Sequence, residues 1–200
     1  MSITMDRLTK IIDFLEEINK AKDIYRATYA TEDRHENDAE HSWHMAMFAL
    51  LLHKELRTEV NIPRVVEMIL VHDLVEIYAG DTYVFGAGSD QREREEDAAE
   101  RLFSKLPPDL QKNIRGLWDE FEAQQTEESR FARSLDCLQA FSQNVLTKGR
   151  VWREKGISEQ MSRERNEKAM YDPALKAIFE ALYARAKPLW PESRPEEKTF

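Results

Sequence analysis

The chain has 200 residues, a formal net charge of -9 at pH 7 and one cysteine, Cys137. That length suits one domain with a core of its own, and the lone cysteine excludes an intrachain disulfide framework. The acidic balance argues against a nucleic-acid polymer as partner, since binding a duplex needs a basic footprint.

The opening MSITMDRLTK lacks the long apolar run of a secretory signal, and no window approaches a membrane span. The expectation is a soluble, cytoplasmic protein without membrane association. Helical periodicity dominates. Residues 5–22 place Leu8, Ile11, Ile12, Leu15 and Ile18 on one stripe. Residues 23–39 lose that period and read as a long polar loop, of the length that usually marks function or disorder. A second helix is expected from about Glu40 to Arg57, with His41, Met45, Phe48 and Leu52 on one face.

A third helix is expected from Asn61, a good N-cap followed by Pro63, to a stop at Gly80. It is apolar nearly all round, as a helix buried on most sides should be. A loop follows over 81–90, then a charged helix capped by Ser89 and running to about Lys105. Pro107 and Pro108 break the chain before a helix near 109–124, and Thr126 caps another running to about Thr147. Ser158 and Asp172 cap two final helices. With no repeat and no break in composition, the reading is an all-α, compact single-domain helical bundle over 1–187. The proline-rich stretch 188–200 is expected to be a disordered tail.

Chemistry concentrates in the third helix. His72, Asp73 and Glu76 lie among Val65, Val66, Ile69, Leu70, Val71, Leu74, Val75 and Ile77, with no Lys or Arg in that run. Burying an imidazole and two carboxylates there is costly unless they are compensated. Hydrogen bonds among themselves and to loops would do so; a divalent cation does it more economically. His41 faces the core on its own stripe. Asp136 is flanked one turn away by Ala132 and Ala140, small residues that leave room for an ion or a substrate.

The order His41, His72-Asp73, Asp136 resembles the HD-domain superfamily of metal-dependent phosphohydrolases. The blocks ENDAEHSWH (36–44), VHDLVEIYAGD (71–81) and LWDEFEAQQTEESRFARSLD (117–136) are similar to its 5'-deoxynucleotidase branch. The likeness covers about residues 6–150; the last fifty residues carry no such motif. It implies an HD-type helical fold and removal of phosphate from deoxyribonucleoside 5'-monophosphates. The implied ligands are His41, His72, Asp73 and Asp136, with Asp73 and Asp136 also touching the reacting phosphate or water. A mixed nitrogen and oxygen set suits Zn, Mn, Co, Fe or Ni without choosing among them. All five histidines precede residue 73, so one divalent metal ion per chain is expected.

Glu76 shares a helix face with His72 and Asp73, as a general acid/base or as a residue orienting a ligand. Arg26 and Arg34 suit phosphate, because a guanidinium fork grips two oxygens; Arg34 could equally be structural. The branch carries an arginine followed closely by tryptophan in this loop, whereas here Arg26 is followed by Tyr29. Asp81 and Thr82 match the loop expected beside the sugar. The partner is thus a small nucleotide. Rival readings are another nucleotide substrate for the same chemistry, or a metal-dependent nucleotide-binding regulator without turnover. A homodimer is a further expectation, with Trp118, Phe121 and Trp152 as contacts or as core.

Overall fold

In the computed structural model the structure describes residues 4–81 and 90–190. Helix α1 (Met5–Ile18) starts where Thr4 Oγ1 accepts from the Arg7 amide, and runs on into a 3-10 turn over Asn19–Asp23. Residues 25–37, expected to be loop, instead form an antiparallel hairpin. Strand β1 (Tyr25–Tyr29) pairs with β2 (His35–Asn37), Tyr25 opposite Asn37 and Tyr29 opposite His35. The hairpin is short and mostly polar, so its alternation is drowned in the sequence. His35 locks it by stacking on Tyr29 at 4.0 Å and donating from Nδ1 to the Arg26 carbonyl at 2.9 Å.

Helix α2 (Asp38–Leu52) opens with a capping box between Asn37 and Glu40. It closes in a 3-10 turn over His53–Glu55, where His53 Nδ1 donates to the carbonyls of Ala49 and Leu50. The expected single third helix is divided. Helix α3 (Ile62–Val71) ends at His72, and a short α4 (Glu76–Ala79) stops at Gly80 with φ of 76°. Between them Leu74, Glu76, Ile77 and Tyr78 donate to carbonyls three residues back rather than four. The chain is tightened at the His72-Asp73 pair without a glycine or proline to announce it.

Helix α5 (Gln91–Phe103) follows; the Ser89 cap expected for it lies outside the described residues. Helix α6 (Pro108–Ala123) leaves through Gln124 in the left-handed region. Thr126 and Ser129 form the capping box of α7 (Glu127–Leu146). A short α8 (Arg150–Lys155), not foreseen, lies between Gly149 and Gly156, both at positive φ. Ser158 and Asp172 cap α9 (Glu159–Ala169) and α10 (Pro173–Ala186) as expected.

Helix α7 is the axis of the bundle. It touches α2, α3, α6, α9, α10 and β1, and it buries Phe131, Leu135, Leu138 and Phe141. Trp118, Phe121 and Trp152, considered as dimer contacts, are core residues at 4%, 2% and 5% exposure. The start of the expected tail is packed too: Trp190 stacks on Trp152 at 4.1 Å. Residues beyond 190 lie outside the described ones. Among the described residues, no helix is long and apolar enough to cross a membrane.

Candidate metal centre

Three long-separated stretches converge under the hairpin. His41 comes from α2, His72 and Asp73 from the tightened turn after α3, and Asp136 from the middle of α7. Ligand atoms of His41, His72 and Asp73 lie within 4.8 Å of one another. Asp136, expected as the fourth ligand, stands beside this group, its Oδ1 3.2 Å from His41 Nε2.

The tautomers can be read from the partners. His72 Nδ1 lies 2.8 Å from the Ile69 carbonyl, which only accepts, so Nδ1 carries the proton. His41 Nδ1 lies 2.6 Å from Gln139 Oε1. The amide orientation of Gln139 is set because its Nε2 donates to Glu36 Oε1 at 2.6 Å. A neutral imidazole therefore presents its Nε2 lone pair inward on both rings. Those lone pairs face carboxylate oxygens: His72 Nε2 is 2.9 Å and His41 Nε2 is 3.9 Å from Asp73 Oδ2. His72 Nε2 is buried and, despite the short distance, lacks the alignment of a hydrogen bond. Lone pairs aimed at one another repel unless positive charge lies between them, so the donor set fits a divalent cation. Burial opposes charge on His72, but Asp73 and Asp136 outweigh it and raise its pKa. A proton therefore competes for the same place, and acid weakens metal binding.

Gln139 was not foreseen. Its only sequence signal is its position one turn after Asp136, on the same buried face. Replacing it by leucine should weaken metal binding by roughly 10- to 100-fold, the usual cost of losing a partner that orients a ligand. Metal titration of Gln139→Leu checks this, and unchanged affinity would mean that Gln139 does not hold His41 in place.

Arg26, expected as a phosphate donor, lies over the carboxylates. Its guanidinium is 2.5 Å from Asp73 Oδ2, 3.5 Å from Asp38 Oδ1 and 3.8 Å from Asp136 Oδ1. Burial disfavours its charge, yet Asp73, Glu76, Asp136 and Asp38 hold it firmly protonated. Burial would likewise raise Asp73, but His72 and Arg26 hold its carboxyl below the usual range. Asp38, not expected at the site although it stands in the ENDAEHSWH block, is 2% exposed with an unpaired Oδ2. Burial and Asp73 push its carboxyl up to about 8. Glu76 is pushed up to about 11 by burial and then by Asp73 and Asp38, and its Oε2 is also unpartnered.

Arg26, His72, Asp73, Glu76 and Asp136 line a cavity of about 250 Å³ that also takes in Asp81 and Arg133. Arg133, not singled out in the sequence, donates to Asp136 Oδ2 at 3.1 Å and adds a second guanidinium. Two expected substrate residues are elsewhere. Arg34 grips Glu40 through two bonds of 2.8 Å, half exposed. Tyr29 is buried with its hydroxyl 3.1 Å from Glu154 Oε2. The hairpin turns both away from the cavity, so on this geometry they hold the hairpin and do not line the site. Thr82 lies outside the described residues.

Comparison with known proteins identifies the family and the fold. A family model described as HD domain matches residues 18–178. The crystal structure of a "predicted metal-dependent phosphohydrolase" from Magnetospirillum magnetotacticum MS-1 superposes with a TM-score of 0.84. It is 41% identical and is covered over 97% of its length, with 92% of this chain. A protein of Bos taurus named 5'-deoxynucleotidase HDDC2 is 34% identical over 132 residues, and its Homo sapiens counterpart is 30% identical over 130. Each of these matches covers 63% of this chain and 62% of the relative, so the chain spans less than two thirds of their length. An HD-domain phosphohydrolase from Listeria innocua shares the fold at a TM-score of 0.66 and 20% identity, covering 89% of this chain and 92% of that one.

Proposed function

We propose that this chain, which belongs to the HD domain family, is a metal-dependent phosphohydrolase removing phosphate from deoxyribonucleoside 5'-monophosphates. The observation that carries the reading is the meeting of two imidazole lone pairs and Asp73 at the wall of a cavity that Arg26 and Arg133 also line. The names of the bovine and human relatives support the substrate class.

His41, His72 and Asp73 would hold one divalent ion, with Asp136 completing the set. The ion supplies Lewis acidity and a more acidic water. Zn, Mn, Co, Fe and Ni all suit this set. The chain's own residues do the rest. Arg26 and Arg133 carry the donors that a phosphate dianion needs. Their present carboxylate partners keep them charged and aimed at the ligand group. Glu76 holds its proton at neutral pH, because burial and its acidic neighbours favour the neutral acid. As the P–O5' bond breaks, that proton passes to the departing 5'-oxygen; the attacking water's proton returns to the carboxylate. Asp81 lines the cavity and, as the resemblance of its loop implies, would lie beside the sugar.

Phosphate release from a panel of nucleotides tests the reading. Deoxyribonucleoside 5'-monophosphates should turn over faster than ribonucleotides or 3'-phosphates. Equal rates on generic phosphate esters would reject nucleotide specificity, and activity confined to cyclic or triphosphate nucleotides would move the protein elsewhere in its family. A second copy of the chain, if it binds, would meet the outer face of α2, where Trp43, Met47, Leu50 and Leu51 lie exposed at helical spacing.

A further inference from the structure

The cavity does not end at the metal ligands. It continues along α7, whose residues Asp136, Ala140 and Asn144 line it at helical spacing. Eight residues of α-helix carry the wall about 12 Å from Asp136 to Asn144. Across from Asn144 the lining comes from α9, through Ser162, Arg165 and Asn166. The phosphate end of the cavity is therefore built, apart from Arg26, from residues within the recognisable blocks. Its far end draws on the last fifty residues, which carry no recognisable motif.

Asn144 is the informative residue there. It is 8% exposed, and its Nδ2 donates to the Ala140 carbonyl at 2.8 Å. That bond fixes the amide, since flipping it would set two oxygens against each other. Its Oδ1 is left buried with no hydrogen-bond partner. A buried acceptor without a donor is costly, and buried carboxamide oxygens are normally satisfied. Ala140, one turn nearer the metal ligands, is small and lets a flat group lie against the helix. Ser162 and Asn166 are buried polar residues of the facing wall, tied to each other where Asn166 Nδ2 donates to the Ser162 carbonyl at 2.7 Å.

The geometry points to a nucleobase subsite at this far end, in which Asn144 Oδ1 accepts from an N–H of the base and α9 closes over it. The inference rests on the reading of the cavity as a 5'-nucleotide site and deepens it. Phosphate binds among Arg26, Arg133 and the metal ligands; the base is recognised by the C-terminal third of the chain. Every nucleobase carries an N–H, so one acceptor secures a base without choosing strictly among them. Selection between bases falls to the α9 wall.

The test compares a deoxyribonucleoside 5'-monophosphate with deoxyribose 5-phosphate, which lacks the base. Dissociation constants and kcat/KM are measured for both ligands on wild type, Asn144→Leu and Ala140→Val. Wild type should prefer the nucleotide. Asn144→Leu should cut that preference by roughly 5- to 10-fold, the scale of one neutral hydrogen bond. Ala140→Val, which adds bulk facing the cavity, should cut it as well, and it covers the case in which Asn144→Leu does not fold. Melting curves identify which variants are folded. An unchanged preference in a folded variant, or no preference for the nucleotide in wild type, overturns the subsite. Tight nucleotide binding that depends on Asn144 but is accompanied by no hydrolysis would instead overturn the hydrolase reading and leave the subsite standing.

Discussion

Glu76→Gln should lower kcat by roughly 100-fold or more, the usual scale for losing a general acid/base, while leaving metal content unchanged. Glutamine keeps the size and one acceptor oxygen but neither holds nor returns a proton. KM should move little, because the lost interaction belongs to the transition state. Stability gives an independent reading. In the folded chain Glu76 binds its proton up to about pH 11, far above the ordinary value of 4.5 for a glutamate. A raised pKa contributes stability that is complete below the unfolded value and is lost as pH climbs toward the folded one. Wild type in chelator should therefore lose melting temperature between roughly pH 5 and 9, and Glu76→Gln should lose less. Near wild-type turnover in the variant would remove Glu76 from the proton path. A fall in metal affinity instead would make it a residue that orients a ligand.

Asp73→Asn should release the metal and with it the activity, by more than the roughly 100-fold expected when only an orienting partner is lost. Asp73 is the sole carboxylate within the three-residue group, and His41, His72 and Arg26 all converge on its Oδ2. An uncharged amide removes the anion that offsets the cation. The fold should survive, since Arg26 keeps Asp38 at 3.5 Å and Asp136 at 3.8 Å as counter-charges. Asp136→Asn should have the smaller effect on metal content, because Asp136 stands outside the group and already accepts from Arg133. Elemental analysis of both variants, beside a wild type expected to hold one ion per chain, ranks the two carboxylates. Equal loss would place Asp136 on the ion as firmly as Asp73, and two ions in the wild type would end the mononuclear reading.

Most helices were legible because their signals are local. Asn61, Thr126, Ser158 and Asp172 each cap the helix expected of them, as a side-chain oxygen and an amide two or three residues on need no tertiary partner. His41, His72 and Asp73 were legible for a different reason. An imidazole or carboxylate on an otherwise apolar stripe is costly wherever the chain folds, so the stripe itself announces a compensating partner.

What the linear order could not contain was decided by packing. The hairpin over 25–37 has too few residues to show a period, and it holds its shape against α7 and α8. Only that docking separates Arg26, aimed at the carboxylates, from Arg34 and Tyr29, turned to Glu40 and Glu154. The break at His72 carries no glycine or proline. Asp38, Arg133 and Gln139 are polar residues of ordinary type whose meaning comes from what lies across from them: burial without a partner for Asp38, a carboxylate for Arg133, an imidazole for Gln139. Local backbone chemistry and the cost of burying charge are properties of the sequence. Which oxygen faces which nitrogen across 95 residues, as Asp136 faces His41, is a property of the packed bundle alone.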